Sequence, residues 1–320
     1  MTRVLRWTAA AGAAGWLVTR ASWRGLDPIE GAALQAVLCV VPLGVSVVPR
    51  AGAARTDAWL DRGAWLAPFA VGAVLAAALV PTGVLAAVLA APWLGCTLGW
   101  AWHGRERIVA AARARDAGDA CVGFALLCLP IGAGWLVVDR LGATPFGFDS
   151  LLVRLTVVHM HYAAFAPPLL AALAARALER AGLPSRSTRR RLVAAIATTL
   201  CAGPVVVGAG ITSRAAVVTF AGTCVVAAGL VALAAVTFTH VLRCMRGRAA
   251  RLLLAVSAAS ALFAMPLAVA YAFGQAFGGS LVRFDWMVRL HGYANAHGVA
   301  LAGLLAWLLE ERACRKHGGP

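Results

Sequence analysis

Residues 155–170 read "LTVVHMHYAAFAPPLL", two histidines one residue apart and a tyrosine beside them, in sequence that otherwise suits a helix facing lipid. A loop would carry such residues cheaply and a bilayer interior would not, so the fold turns on which of the two surrounds this stretch. Composition decides for the bilayer. Of 320 residues 61% are hydrophobic and 13% charged. Apolar runs of about 20 residues, enough to cross a hydrocarbon core of roughly 30 Å, recur from end to end. The pattern predicts an all-α polytopic membrane bundle of about ten transmembrane helices. They are drawn at 4–20, 28–48, 64–80, 82–102, 118–138, 150–175, 192–212, 215–240, 252–274 and 287–309. Connections are short, the longest being "RALERAGLPSRSTRRR" at 176–191, so the whole of 1–320 reads as a single transmembrane domain.

A wrong helix count would scatter the basic residues over both sides of the membrane, and they do not scatter. With the N-terminus inside, 22 of the 29 arginines and lysines fall on the inner side. Arg20, Arg24, Arg140, Arg154, Arg214, Arg283 and Arg289 fall outside. Both termini are therefore expected in the cytoplasm. The alternative has nine spans, with "VLRWTAAAGAAGWLVTR" lying on the surface and the N-terminus outside. A net charge of +16 would suit nucleic acid, but these arginines are spread over short loops and form no stripe on a soluble domain. Anionic lipid headgroups are the expected partner, and nucleic acid is not. Eight cysteines sit singly in apolar segments with no CxxC pair; Cys121 and Cys128 share a helix face and read as small buried hydrophobes. The N-terminal stretch lacks a small-residue cleavage site before Arg20 and reads as a retained helix.

Proline interrupts seven spans, at Pro42, Pro68, Pro92, Pro130, Pro167 with Pro168, Pro204 and Pro266. Each removes a helical hydrogen bond and frees a carbonyl, which a membrane tolerates where protein or a wet cavity covers it. "GRERIVAAARARDAG" at 104–118 suits either a short amphipathic surface helix or an ordinary solvated connection. "FDSLLVRLTVVHMHY" at 148–162 and "FDWMVRLHGYANAH" at 284–297 share Phe-Asp, Val-Arg-Leu and a deeper histidine, a pattern that a parallel repeat or biased composition would each produce.

Ionisable side chains inside a membrane cost about 2.5–3.5 kcal/mol when charged and are rarely left facing lipid. Here they gather at mid-depth or nearer the outside: Glu30 opens the second span, Asp149 caps the sixth, and His159, His161 and Tyr162 lie about mid-membrane. His291, Asn295 and His297 occupy the outer half of the tenth span, whereas His103, His240 and His317 read as interfacial. One shared outward-facing cavity would account for the first group. His291 and Asn295 share a helix face, as do His159 and Tyr162, while His159 and His161 point roughly 200° apart. That HxH pair cannot chelate a metal on a regular helix. A metal or haem would need one histidine from each of the sixth and tenth helices, with Glu30 as a further ligand. The chemical alternative is acid and base work, in which a carboxyl in an apolar site keeps its proton and an imidazole relays it. The plain alternative to both is hydrogen bonding across helices.

"IEGAALQAVLCVVPLGV", "APWLG", "FDSLLVRLTVVHMHYAAF" and "HGYANAHGVAL" resemble the YndJ-like family of bacterial integral membrane proteins over most of the chain from about residue 28. The family pattern has a glutamate opening an early helix, a Pro-Trp pair, Thr-x-x-His-x-His-Tyr-Ala-x-Phe and a late His-Gly-x-x-Asn-Ala. Glu30, Trp93, Thr156, His159, His161, Tyr162, His291 and Asn295 fill those positions. Met160 stands where the pattern has an aromatic, and His297 is an additional histidine. The resemblance implies a multi-pass protein of the bacterial inner (cytoplasmic) membrane and supports the site more than any activity.

The reading that follows is a membrane enzyme acting on a lipophilic, isoprenoid-like small molecule by cyclisation or isomerisation. Glu30 or Asp149 would be the proton donor, His159, His161 and His291 would position or accept protons, and Trp93, Thr156, Tyr162 and Asn295 would line the substrate site. No cofactor is required. The rivals are a proton-coupled transporter of a small molecule and, third, a metal- or haem-binding membrane protein.

Overall fold

The computed structural model describes residues 2–23, 25–52, 54–182 and 186–316. Arg24, His317, the last residues to Pro320 and the side chains of Arg55, Arg186 and Lys316 fall outside the described set. Ten long helices account for the described chain, with no strand among these residues. They are α1 Thr2–Ser22, α2 Pro28–Ser46, α3 Ala54–Leu79, α4 Val84–Ala114, α5 Ala117–Leu141, α6 Ser150–Arg180, α7 Arg186–Thr212, α8 Ala216–Cys244, α9 Arg248–Phe277 and α10 Phe284–Arg315. Each overlaps one predicted span, and among the described residues α2 to α10 supply nine segments long and apolar enough to cross a membrane. The chain is an all-helical polytopic membrane protein.

The helices sort into two compact units, where the sequence reading drew one domain: residues 1–114 with 122–166, and residues 115–121 with 167–320. The boundary in α6 has a local cause. Pro167 and Pro168 lack N–H donors and disfavour helical backbone just before them, and the helix opens into a turn over residues 163–165. Pro68, Pro92, Pro130, Pro204 and Pro266 lie inside helices that run on through them.

In the first unit α2 is the central helix. Apart from Glu30 and Gln35 its sequence is apolar or small on every side, and residues 33–48 are buried without a gap, as expected for a helix surrounded by others. α1, α3 and the first half of α6 pack on it. Pro42 removes the partner of the Leu38 carbonyl, and the helix widens into a π turn over Ala36–Val40 just before it. The freed Leu38 oxygen is covered by Gly12 of α1: a Cβ at Gly12 would lie 1.9 Å from that oxygen and 2.6 Å from its carbon. Only glycine permits this approach. Gly12→Ala should therefore cost about 1–3 kcal/mol in detergent unfolding, because the backbone must move. An α1 lying apart on the membrane surface would instead leave stability unchanged or slightly raised by helix propensity.

In the second unit α7, α8, α9 and α10 pack as consecutive neighbours. Gly203, Gly210, Gly222 and Gly229 form a small-residue seam between α7 and α8, the close approach that membrane helices use when lipid is as apolar as their side chains. Cys121 lies 4.0 Å from Cys201, sulfur to sulfur, so its thiol neighbour is on α7 and not Cys128 on its own helix.

Candidate functional site

The first unit gathers charge at the end that the arginine count places outside. Asp27 precedes Pro28, an arrangement suited to starting a helix: its carboxylate accepts from the N–H groups of Ile29 (2.8 Å) and Glu30 (3.1 Å), and proline fills the first helical position. Glu30 thus stands in the first turn of α2, where a negative charge is favoured. Its Oε1 takes a 2.9 Å contact from Nη1 of Arg140 near the end of α5. The same guanidinium holds Oδ2 of Asp139 through Nη2 (2.7 Å) and Nε (3.0 Å). Arg154 of α6 donates from Nε to the other Asp139 oxygen at 3.3 Å and lies 3.9 Å from Asp27. Arg20 donates to the Leu26 carbonyl at 3.3 Å and closes the turn between α1 and α2. The Arg140, Glu30 and Asp139 side chains are only 9%, 16% and 6% exposed.

The sequence reading asked for Glu30 in an apolar site, and the structure places its carboxyl group 2.9 Å from the Arg140 guanidinium. The cation is on a helix far along the chain, which no local pattern reveals. Asp149 is an exposed N-cap that accepts the Leu152 N–H at 2.7 Å, so helix capping accounts for it.

Deeper along α6 the histidines diverge as helical spacing requires. His161 is fully buried, and His159 is exposed with Nδ1 bonded to its own helix at Leu155 O (2.7 Å). The indole N–H of Trp93 on α4 reaches Nε2 of His161 at 3.2 Å. An indole can only donate. Nε2 is therefore the acceptor, and Nδ1 carries the proton that is donated to Val157 O at 2.8 Å. Both ring nitrogens are engaged in this neutral tautomer. Gly132 of α5 makes room for the ring, since a Cβ there would meet it at 2.6 Å, and Trp100 packs edge-on against Trp93 with centroids 5.7 Å apart. Tyr162, also buried, donates to Gln35 Oε1 (3.0 Å) and lies 3.2 Å from Ala32 O. Thr156 bonds back to Leu152 O at 2.8 Å.

In the second unit His291, Asn295 and His297 occupy two stretches of π-helix, Met287–Gly292 and Ala294–Ala302. Such widened turns in α-helices are frequent at functional sites. Asn295 Nδ2 donates to the His291 carbonyl at 2.8 Å and lies 3.3 Å from both ring nitrogens, while His291 Nδ1 is 3.0 Å from Ala264 O on α9. His297 sits exposed beside Tyr293, with its Nδ1 3.2 Å from that residue's carbonyl. The two similar stretches of sequence fold differently: Asp149 caps a regular helix, whereas Asp285 pairs with Arg283 and its helix winds as π.

Of the predicted residues, the structure brings Trp93 against His161 in the first unit and His291 against Asn295 in the second, while Glu30, Thr156 and Tyr162 meet other partners. Among the described residues no three of His, Cys, Asp and Glu stand close enough to hold a metal ion. Sequence reasoning missed Asp27, Gln35, Asp139, Arg140 and Arg154. The available signal was the adjacency of Asp139 and Arg140 at a span end in a chain with only 13 acids. His103, read as interfacial, is fully buried beside Arg107, whose Nη1 donates to the Pro49 carbonyl just past the end of α2.

Comparison with known proteins gives a consistent result. The chain is 26% identical over 188 residues to a Bacillus subtilis (strain 168) protein named uncharacterized membrane protein YndJ, a match covering 59% of this chain. The match spans about a third of that relative, 32% of its length. No solved structure matches. A model of the family described as YndJ-like protein matches residues 32–299, most of the chain. The chain belongs to the YndJ-like family.

Proposed function

We propose that this chain couples proton movement to the handling of a lipophilic small molecule in the bacterial cytoplasmic membrane, as a transporter. The observation that carries the reading is one largely buried guanidinium, Arg140, shared between carboxylates on two different helices, Glu30 on α2 and Asp139 on α5. A proton delivered to either carboxylate ends that carboxylate's ionic hold and leaves Arg140 with the other. The α2–α5 contact is thereby linked to protonation, the kind of local charge change that biases a two-state element. An isoprenoid cyclase would need a neutral acid aimed into a dry cavity, and the ion pair at Glu30 favours transport over that chemistry. An all-helical bundle, with its backbone hydrogen bonds satisfied inside each helix, suits the cytoplasmic membrane.

The test uses liposomes containing the protein and an internal pH dye, challenged with the lipophilic compounds that co-purify with it. Wild type should take up protons when the active compound is added, and Glu30→Gln, which keeps shape but carries no titratable proton, should lower the rate by roughly a hundredfold. Equal rates for the two proteins, or a wild type no faster than empty liposomes, would overturn the reading.

A further inference from the structure

The first unit has a second concentration of charge, at the end that the arginine count places inside. Trp59 and Arg62 on α3 and Trp102 and Arg105 on α4 are two Trp-x-x-Arg pairs, and the helices bring them side by side. The two indoles are 6.1 Å apart between centroids. The Arg62 guanidinium lies over the Trp59 ring at 4.9 Å, and that of Arg105 over Trp102 at 5.3 Å. Both arginines are exposed, and neither has a carboxylate partner among the described residues. Asp61 takes both its contacts from Arg50, at 2.8 and 3.3 Å, while Glu106 gives Oε1 to the Trp102 indole N–H at 3.1 Å and has no hydrogen-bond partner for its buried Oε2 among the described residues. Below the cations, toward the middle of the span, Trp65, Leu66 and Phe69 of α3 and Leu98 of α4 are exposed apolar side chains.

We infer that this face binds an anionic diacyl phospholipid, with its phosphate between Arg62 and Arg105 and its acyl chains along Trp65, Leu66, Phe69 and Leu98. Stacking on an indole orients a guanidinium while leaving its N–H fork open, and that fork matches phosphate oxygens in pairs. Charge complementarity selects the head, and the apolar strip continuous with it selects a molecule with tails. The site is independent of the proton-coupling triad, since Glu30, Asp139 and Arg140 take no part in it.

The experiment is native mass spectrometry of the protein released from bilayer discs holding phosphatidylglycerol and phosphatidylcholine in equal amounts. Wild type should retain phosphatidylglycerol preferentially. Arg62→Gln with Arg105→Gln should weaken that retention roughly thirtyfold, about fivefold for each basic residue. Arg190→Gln with Arg191→Gln on α7 removes the same charge elsewhere and should leave it intact. Trp59→Leu with Trp102→Leu keeps both charges but frees the guanidiniums, and should cost about fivefold. An equal loss in both arginine pairs would show bulk attraction in place of a site. Displacement of the lipid by soluble glycerol phosphate at matching concentration would show that a free phosphate ester is the ligand. Either result overturns the inference.

Discussion

Arg140→Gln should be the most damaging single charge substitution in the first unit, costing about 3–5 kcal/mol of stability. The reason lies in what stays behind. Glu30 and Asp139 keep side chains only 16% and 6% exposed, and both lose their shared guanidinium. Arg154 still reaches one Asp139 oxygen at 3.3 Å, but no described contact replaces the one to Glu30. With total stabilities commonly about 5–15 kcal/mol, a loss of that size would show as a large fall in the folded fraction after detergent extraction. Arg140→Lys keeps the charge but cannot fork to two carboxylates, so it should fall between wild type and Arg140→Gln. Combining Arg140→Gln with Glu30→Gln removes the orphaned carboxylate and should recover part of the loss, which a double-mutant cycle measures directly. Arg140→Gln within about 0.5 kcal/mol of wild type would mean that the pair behaves as a solvated surface contact.

The second large effect is expected at Trp93. Trp93→Ala removes a fully buried indole that contacts Trp100 and His161, and loss of an aromatic side chain from a packed core costs about 3–5 kcal/mol. Trp93→Phe separates volume from hydrogen bonding. It fills most of the space but leaves Nε2 of His161 without its donor, where bonds between membrane helices are worth about 0.6 and at most about 1.7 kcal/mol. A cost of about 1–2 kcal/mol is therefore expected for Trp93→Phe. Adding His161→Leu to it should cost little more, because both partners of the bond are then gone. If His161 instead served by exchanging a proton at Nε2, Trp93→Phe would leave stability near wild type and His161→Leu would abolish transport even with Trp93 replaced. Thermal unfolding of the four proteins, read beside the liposome assay, distinguishes these outcomes.

Much of the fold was decided locally and could be read from the residues themselves. Ten apolar runs became ten helices because length and hydropathy are properties of each segment alone. Asp149 before Ser150 started a helix, as its sequence position implied, through a bond to the N–H three residues away. The turn before Pro167 follows from the missing amide hydrogens, and the opposite faces of His159 and His161 follow from helical rotation. Tertiary structure alone decided what those side chains meet. Tyr162 bonds to Gln35 across 127 residues of sequence and Trp93 to His161 across 68. No periodicity encodes such partners, because any buried donor suits any acceptor that the packing brings within reach. Glu30 shows the consequence most clearly: its depth and type were legible, but its pairing depended on a guanidinium from a helix far along the chain. The π-wound course of α10 was likewise invisible in the sequence. Chemistry-bearing positions in a membrane helix can be picked out because polarity there is costly, while the state each adopts depends on which opposite charge or hydrogen-bond partner the bundle places against it.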